Sequence, residues 1–123
     1  MIVAVVSEEP GAEGPHDSST IGLRKVDQKM LEKVEATGIP LVVVMLSGRP
    51  LIISDHIDKW DAFVAAWLPG TEGGDALADV LNGDVDFNGK LSFTWPKSVE
   101  QEPINVGDET YDPLYPYGAG LNY

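Results

Sequence analysis

"IPLVVVMLSG", residues 39–48, decides how the chain folds. Leu41 to Leu46 are all apolar, and Ser47 and Gly48 break the run. An apolar stretch this short, with no alternation of polar and apolar positions, reads as a strand covered on both faces, as in a parallel sheet. "IVAVV", residues 2–6, repeats the pattern and also ends in a polar loop. Between them, from about Leu23 to Thr37, the residues Val26, Met30, Leu31 and Val34 recur at helical spacing, and Gly38 with Pro40 supplies the stop. Beyond the quoted stretch, "RPLIIS" reads as a short extended piece, Ile57 to Trp60 as a helical turn, and "DAFVAAWLPG" as a third buried strand. A further helix is predicted over Asp75 to Leu81, with Leu77, Val80 and Leu81 on one face and "NGD" as its close. A last strand is expected at "KLSFTW".

This order predicts an α/β chain, a three-layer sandwich with a mostly parallel sheet of flavodoxin-like kind, in a single domain over residues 1–123. Residues 96–123, rich in Pro, Gly, Asn and Tyr without periodicity, read as an irregular wrapping tail. An apolar strand that starts at residue 2 has nothing before it to cover its flank. The sheet therefore reads as truncated on its N-terminal side, with an exposed edge open to self-association.

With 20 acidic against 8 basic residues the formal charge is -12, so nucleic acid and anionic lipid are excluded as expected partners. The absence of cysteine removes disulfides, thiolate metal sites and cysteine nucleophiles. No stretch approaches the roughly 18 apolar residues of a membrane span, and no signal peptide is visible, which leaves both cytoplasm and export open.

The first strand empties into "SEEPGAEGPHD", residues 7–17, at the carboxyl end where open α/β sheets keep their sites. A glutamate near a cleft serves as a proton donor when burial or neighbouring carboxylates favour its neutral form, and Glu8, Glu9 and Glu13 crowd this loop. On composition alone the preferred reading is a solvated acidic loop. Arg49, just after the second strand, is placed to fix neighbouring carboxylates or loop carbonyls. "PGTEGGDALADV" lacks the lysine and spacing of a phosphate loop, so a tight strand-to-helix turn is preferred, with Glu72 a candidate to face a cleft. "DVDFNG" imitates the start of a calcium loop, but its twelfth place is Trp95, so no metal is expected. His16 and His56 have no serine or cysteine in a nucleophile turn to serve. Trp60, Trp67 and Trp95 lie in or beside predicted core elements and read as packing.

"EEPGAEGPHD", "LVVVMLSGRPLII", "DAFVAAWLPGTEGGDALADVLNGDVDFNGKLSFTWP" and "PINVGDETYDPLYPYGAGLNY" together resemble the second domain of glycoside hydrolase family 3, almost end to end. The resemblance implies a retaining β-glycosidase acting on β-glucosides or β-glucans without a cofactor. In it, a (β/α)8 barrel outside this chain carries an aspartate nucleophile and the α/β domain carries the acid/base glutamate. The family pattern Glu-x-Pro-Tyr-x-Glu-x-x-Gly-Asp lands on Glu8, Pro10, Glu13 and Asp17, which makes Glu13 the candidate acid/base and Glu8 and Asp17 its loop supports. Gly11 stands in the tyrosine place and His16 in the glycine place. Without its barrel the chain is expected to be inactive. The rival reading is a non-catalytic carbohydrate-contacting or protein-interaction module that stands alone.

Overall fold

Leu41–Leu46 (β2) is the central strand of a three-stranded parallel sheet in the computed structural model, which describes residues 1–11 and 13–121. Ile2–Ser7 (β1) pairs on one side, with Ile2 opposite Leu41 and Ser7 opposite Leu46; Ala62–Ala65 (β3) pairs on the other, with Val42 opposite Ala62. Five of the six β2 residues are buried, which is why its sequence shows no alternation. The chain divides into two compact units, Met1–Leu68 and Pro69–Tyr123.

In the first unit, β1 departs from the two-sided burial expected of it. Ala4 and Val6 are buried, but Val3 and Val5 are 45% and 54% exposed, so β1 is an edge strand with one open face. β3 is shorter than its apolar run and only half-buried. Lys25–Glu35 (α1) crosses from β1 to β2. Its inward face also differs from the pattern: Leu31 is buried, Met30 and Val34 are half-buried and Val26 is exposed. The buried place one turn before Leu31 is taken by Asp27, whose carboxylate receives two bonds from Arg24 at 2.7 and 3.1 Å. A carboxylate is tolerated there because the guanidinium fork neutralises it and fills both oxygens.

The far end of α1 is tied down by Glu35. Its Oε1 accepts a bond from Trp60 Nε1 at 3.0 Å and lies 3.1 Å from His56 Nδ1, while Lys59 Nζ is 3.5 Å from Oε2. Burial opposes the carboxylate, but the bonds from Trp60 and His56 outweigh it and hold its pKa below the ordinary glutamate value. A depressed carboxyl pKa contributes stability above the unfolded-state value of about 4.3 and loses it as pH falls through the folded value. Glu35→Gln is therefore expected to cost about 2 kcal/mol at neutral pH. The difference from the parent should vanish in urea melts repeated at progressively lower pH below that window.

The second unit begins with a turn at Gly70, φ 69°, and the helix Gly73–Asn82 (α2). A Cβ at Gly73 would press on Pro69 at 2.7 Å, so glycine is what allows this close start. Gly83, at φ 80°, ends α2 in a left-handed cap, with Gly83 N–H donating to Val80 O and Asp84 N–H to Asp79 O. The strand expected at "KLSFTW" is not formed. Leu91 exchanges bonds with Gly118 and Ala119, and Trp95 bonds Tyr115 in an isolated antiparallel bridge, with a bend at Ser92 and Phe93 between them. The tail provides two separate anchor points instead of a continuous partner, so no ladder propagates. Within the tail, Tyr111 Oη lies 3.0 Å from Thr94 Oγ1 and accepts from Tyr117 N–H at 3.1 Å.

Candidate active site

The three strands end at a common edge. Glu8 N–H donates to Leu46 O at 2.9 Å and Ser47 N–H to Trp67 O at 3.2 Å, so the segments leaving β1, β2 and β3 emerge side by side. Among the described residues, two non-glycine residues have positive φ, Glu13 at 53° and Trp67 at 55°, and both follow strand exits at this edge.

The acidic loop is not an array of bare carboxylates. Arg49 Nε donates to Glu8 Oε1 at 2.6 Å, and its Nη2 stands 2.5 Å from the same oxygen. The same Nη2 donates to His16 O at 2.8 Å. Arg49 is itself seated by Ser47, whose Oγ donates to Arg49 O at 2.8 Å. Glu9 receives Arg24 Nη1 at 2.8 Å. The bonds to Asp27 and then Glu9 raise the Arg24 pKa and keep it firmly cationic. The mutual repulsion expected among three glutamates is thus answered at Glu8 and Glu9 by two arginines. Among the described residues, no hydrogen bond or ion pair engages the exposed Glu13 carboxylate.

Glu13 opens the short 3-10 turn Gly14–His16, at φ 53° and ψ 169°. Pro15 fixes that turn, His16 N–H donates to Glu13 O at 2.9 Å, and Asp17 N–H donates to Gly14 O at 3.0 Å. The half-buried His16 ring lies against Gly11, where any Cβ would run into the imidazole. Glu8, His16 and Arg49 are therefore one bonded group beside Glu13, and Asp17 closes the turn through its backbone. Glu72 belongs to the second unit, where it stands at the position just before α2 and accepts a 3.3 Å bond from Thr71 Oγ1. Sequence reasoning missed Arg24 and Asp27. The Arg-x-x-Asp spacing, which faces both side chains along one helix flank, was the available signal.

Over residues 1–123 the chain matches the glycosyl hydrolase family 3 C-terminal domain. The chain belongs to glycosyl hydrolase family 3. Among its family 3 relatives is a periplasmic β-glucosidase of Salmonella typhimurium, 38% identical over 145 residues, covering 100% of this chain and 19% of the relative. Another is a xylan 1,4-β-xylosidase of Xylanibacter ruminicola, 39% identical, covering 87% of this chain and 13% of the relative. The crystal structure of an exo-1,3/1,4-β-glucanase from a Pseudoalteromonas species superposes with a TM-score of 0.88 at 44% identity, over 98% of this chain and 16% of that one. The chain thus spans a fifth or less of these relatives, and it is similar to the C-terminal domain of glycoside hydrolases. No described helix is long and apolar enough to cross a membrane.

Proposed function

We propose that this domain supplies Glu13 as the general acid/base of a retaining β-glycosidase acting on β-glucosides or β-glucans. The aspartate nucleophile comes from a (β/α)8 barrel domain outside this chain, and residues 1–123 alone are inactive. Retaining hydrolysis needs one carboxyl group to protonate the departing glycosidic oxygen and then, as carboxylate, to activate water against the glycosyl-enzyme intermediate. The observation that carries the reading is the difference among the loop glutamates: Glu8 and Glu9 are spent on arginines, whereas no described residue bonds the exposed Glu13 carboxylate at a strand exit. Glu8 and Asp17 support the loop, and Glu72 faces the sugar or the barrel. The names of the relatives, β-glucosidase, exo-1,3/1,4-β-glucanase and xylosidase, support the substrate class. An exported location is supported by the periplasmic Salmonella relative.

The experiment grafts residues 1–123 into the Pseudoalteromonas exo-1,3/1,4-β-glucanase in place of its matching segment. The graft is expected to cleave aryl β-glucosides, the isolated chain to show none of this activity, and Glu13→Gln in the graft to remove turnover of alkyl glucosides. Enzyme-like hydrolysis by the isolated chain, or full activity in the Glu13→Gln graft, would refute the proposal.

A further inference from the structure

Glu13 holds a left-handed backbone conformation that an L side chain resists, and such strain persists only where the surroundings over-determine it. The Glu13 side chain contributes no restraint among the described residues, so the loop must be held from its flanks. Arg49 holds both. Its guanidinium binds the Glu8 carboxylate before the strained residue and the His16 carbonyl after it. A planar fork with fixed donor directions can do this, and a single ammonium cannot reproduce both bonds. The second closure is steric: the His16 imidazole occupies the place of the side chain that Gly11 lacks.

We infer that Arg49, His16 and Gly11 form a latch that sets where Glu13 is delivered, with Arg49 as the positioning residue and the imidazole seated on Gly11 as the closing contact. The inference rests on the reading of Glu13 as the acid/base. It makes Gly11 and His16 a coupled pair: any side chain at position 11 expels the imidazole, and once the imidazole is gone the space at Gly11 is harmless.

The test uses the grafted enzyme and two substrates. An alkyl β-glucoside needs its leaving group protonated, whereas 2,4-dinitrophenyl β-glucoside has a leaving group that departs without a proton. Gly11→Ala is expected to lower kcat/KM on the alkyl substrate by about 10²-fold, the scale of a misplaced catalytic group, with little change in kcat/KM on the dinitrophenyl substrate, whose first step needs no proton and whose turnover falls only through slower deglycosylation. Arg49→Lys should show the same leaving-group dependence. His16→Gly should cost less, and Gly11→Ala added to His16→Gly should cost nothing further, which is the signature of one shared contact. Independent, multiplying losses at Gly11 and His16, or equal losses on both substrates for both Gly11→Ala and Arg49→Lys, would overturn the latch. Glu13→Gln run in parallel separates the two levels. If Glu13→Gln shows the leaving-group dependence and the latch variants do not, only the latch fails; if Glu13→Gln shows none, the acid/base reading fails and the latch with it.

Discussion

Glu13→Gln in the grafted enzyme is expected to lower turnover of alkyl β-glucosides by about 10²- to 10⁴-fold, the range that a positioned general acid supplies. The amide preserves size and hydrogen-bonding shape but has no proton to give the departing oxygen and no basicity toward water. Glu13→Gly separates chemistry from backbone. With an activated dinitrophenyl glucoside the first step survives, the glycosyl-enzyme accumulates, and added azide should restore turnover by forming a β-glycosyl azide, because azide attacks without being deprotonated. The same variant is predicted to be more stable than Glu13→Ala by about 1 kcal/mol, since glycine accepts the φ of 53° and alanine does not. Thermal melts of the two variants check this. Absence of azide rescue would remove the acid/base assignment, and an alanine variant as stable as the glycine variant would remove the strain.

Trp95→Ala carries the largest expected effect on stability, a loss of about 3–5 kcal/mol. Trp95 is 1% exposed, and its indole meets Tyr115 edge-on with centroids 6.3 Å apart. The Trp95 backbone N–H donates to Tyr115 O at 2.8 Å and its carbonyl accepts from Leu114 N–H at 2.9 Å, so the ring and the backbone bridge secure the tail together. Truncation leaves a cavity where this unit has no regular sheet to close around it. Total stabilities of about 5–15 kcal/mol leave little reserve against such a loss. Hydrogen exchange should show the amides of Tyr115 and Leu114 losing protection while those of β2 keep theirs. Uniform retention of protection in Trp95→Ala would contradict the role given to this side chain.

The central strand was legible because burial on both faces removes alternation, and Leu41 to Leu46 has none. The same reasoning misjudged β1, whose "IVAVV" is equally apolar although Val3 and Val5 face outward. Composition does not distinguish a strand's position in a sheet when its open face is also β-branched. The strand expected at "KLSFTW" fails at its middle: the bend at Ser92 and Phe93 leaves Phe93 40% exposed while Trp95 is buried. At the site, the resemblance brought Glu13 forward, and the position of Arg49 after a strand suggested its kind of work. Which carboxylate it takes depends on two loops meeting in space, and spacing along the chain does not encode that. Gly11 and His16 read as two unrelated departures from a pattern, yet the imidazole on the glycine makes them a single substitution in three dimensions.

The register of the sheet governs how this unit is assembled in time. Ile2 pairs with Leu41 and Val42 with Ala62, and no hairpin joins any two strands. Every ladder bond therefore waits for a long stretch of chain to fold back, so collapse around β2 must come before zippering and the nucleus is non-local. β1 reaches β2 across a longer stretch of chain than β3 does, so its pairing carries the larger loop-closure cost, and the acidic loop that follows it is secured only when that pairing forms.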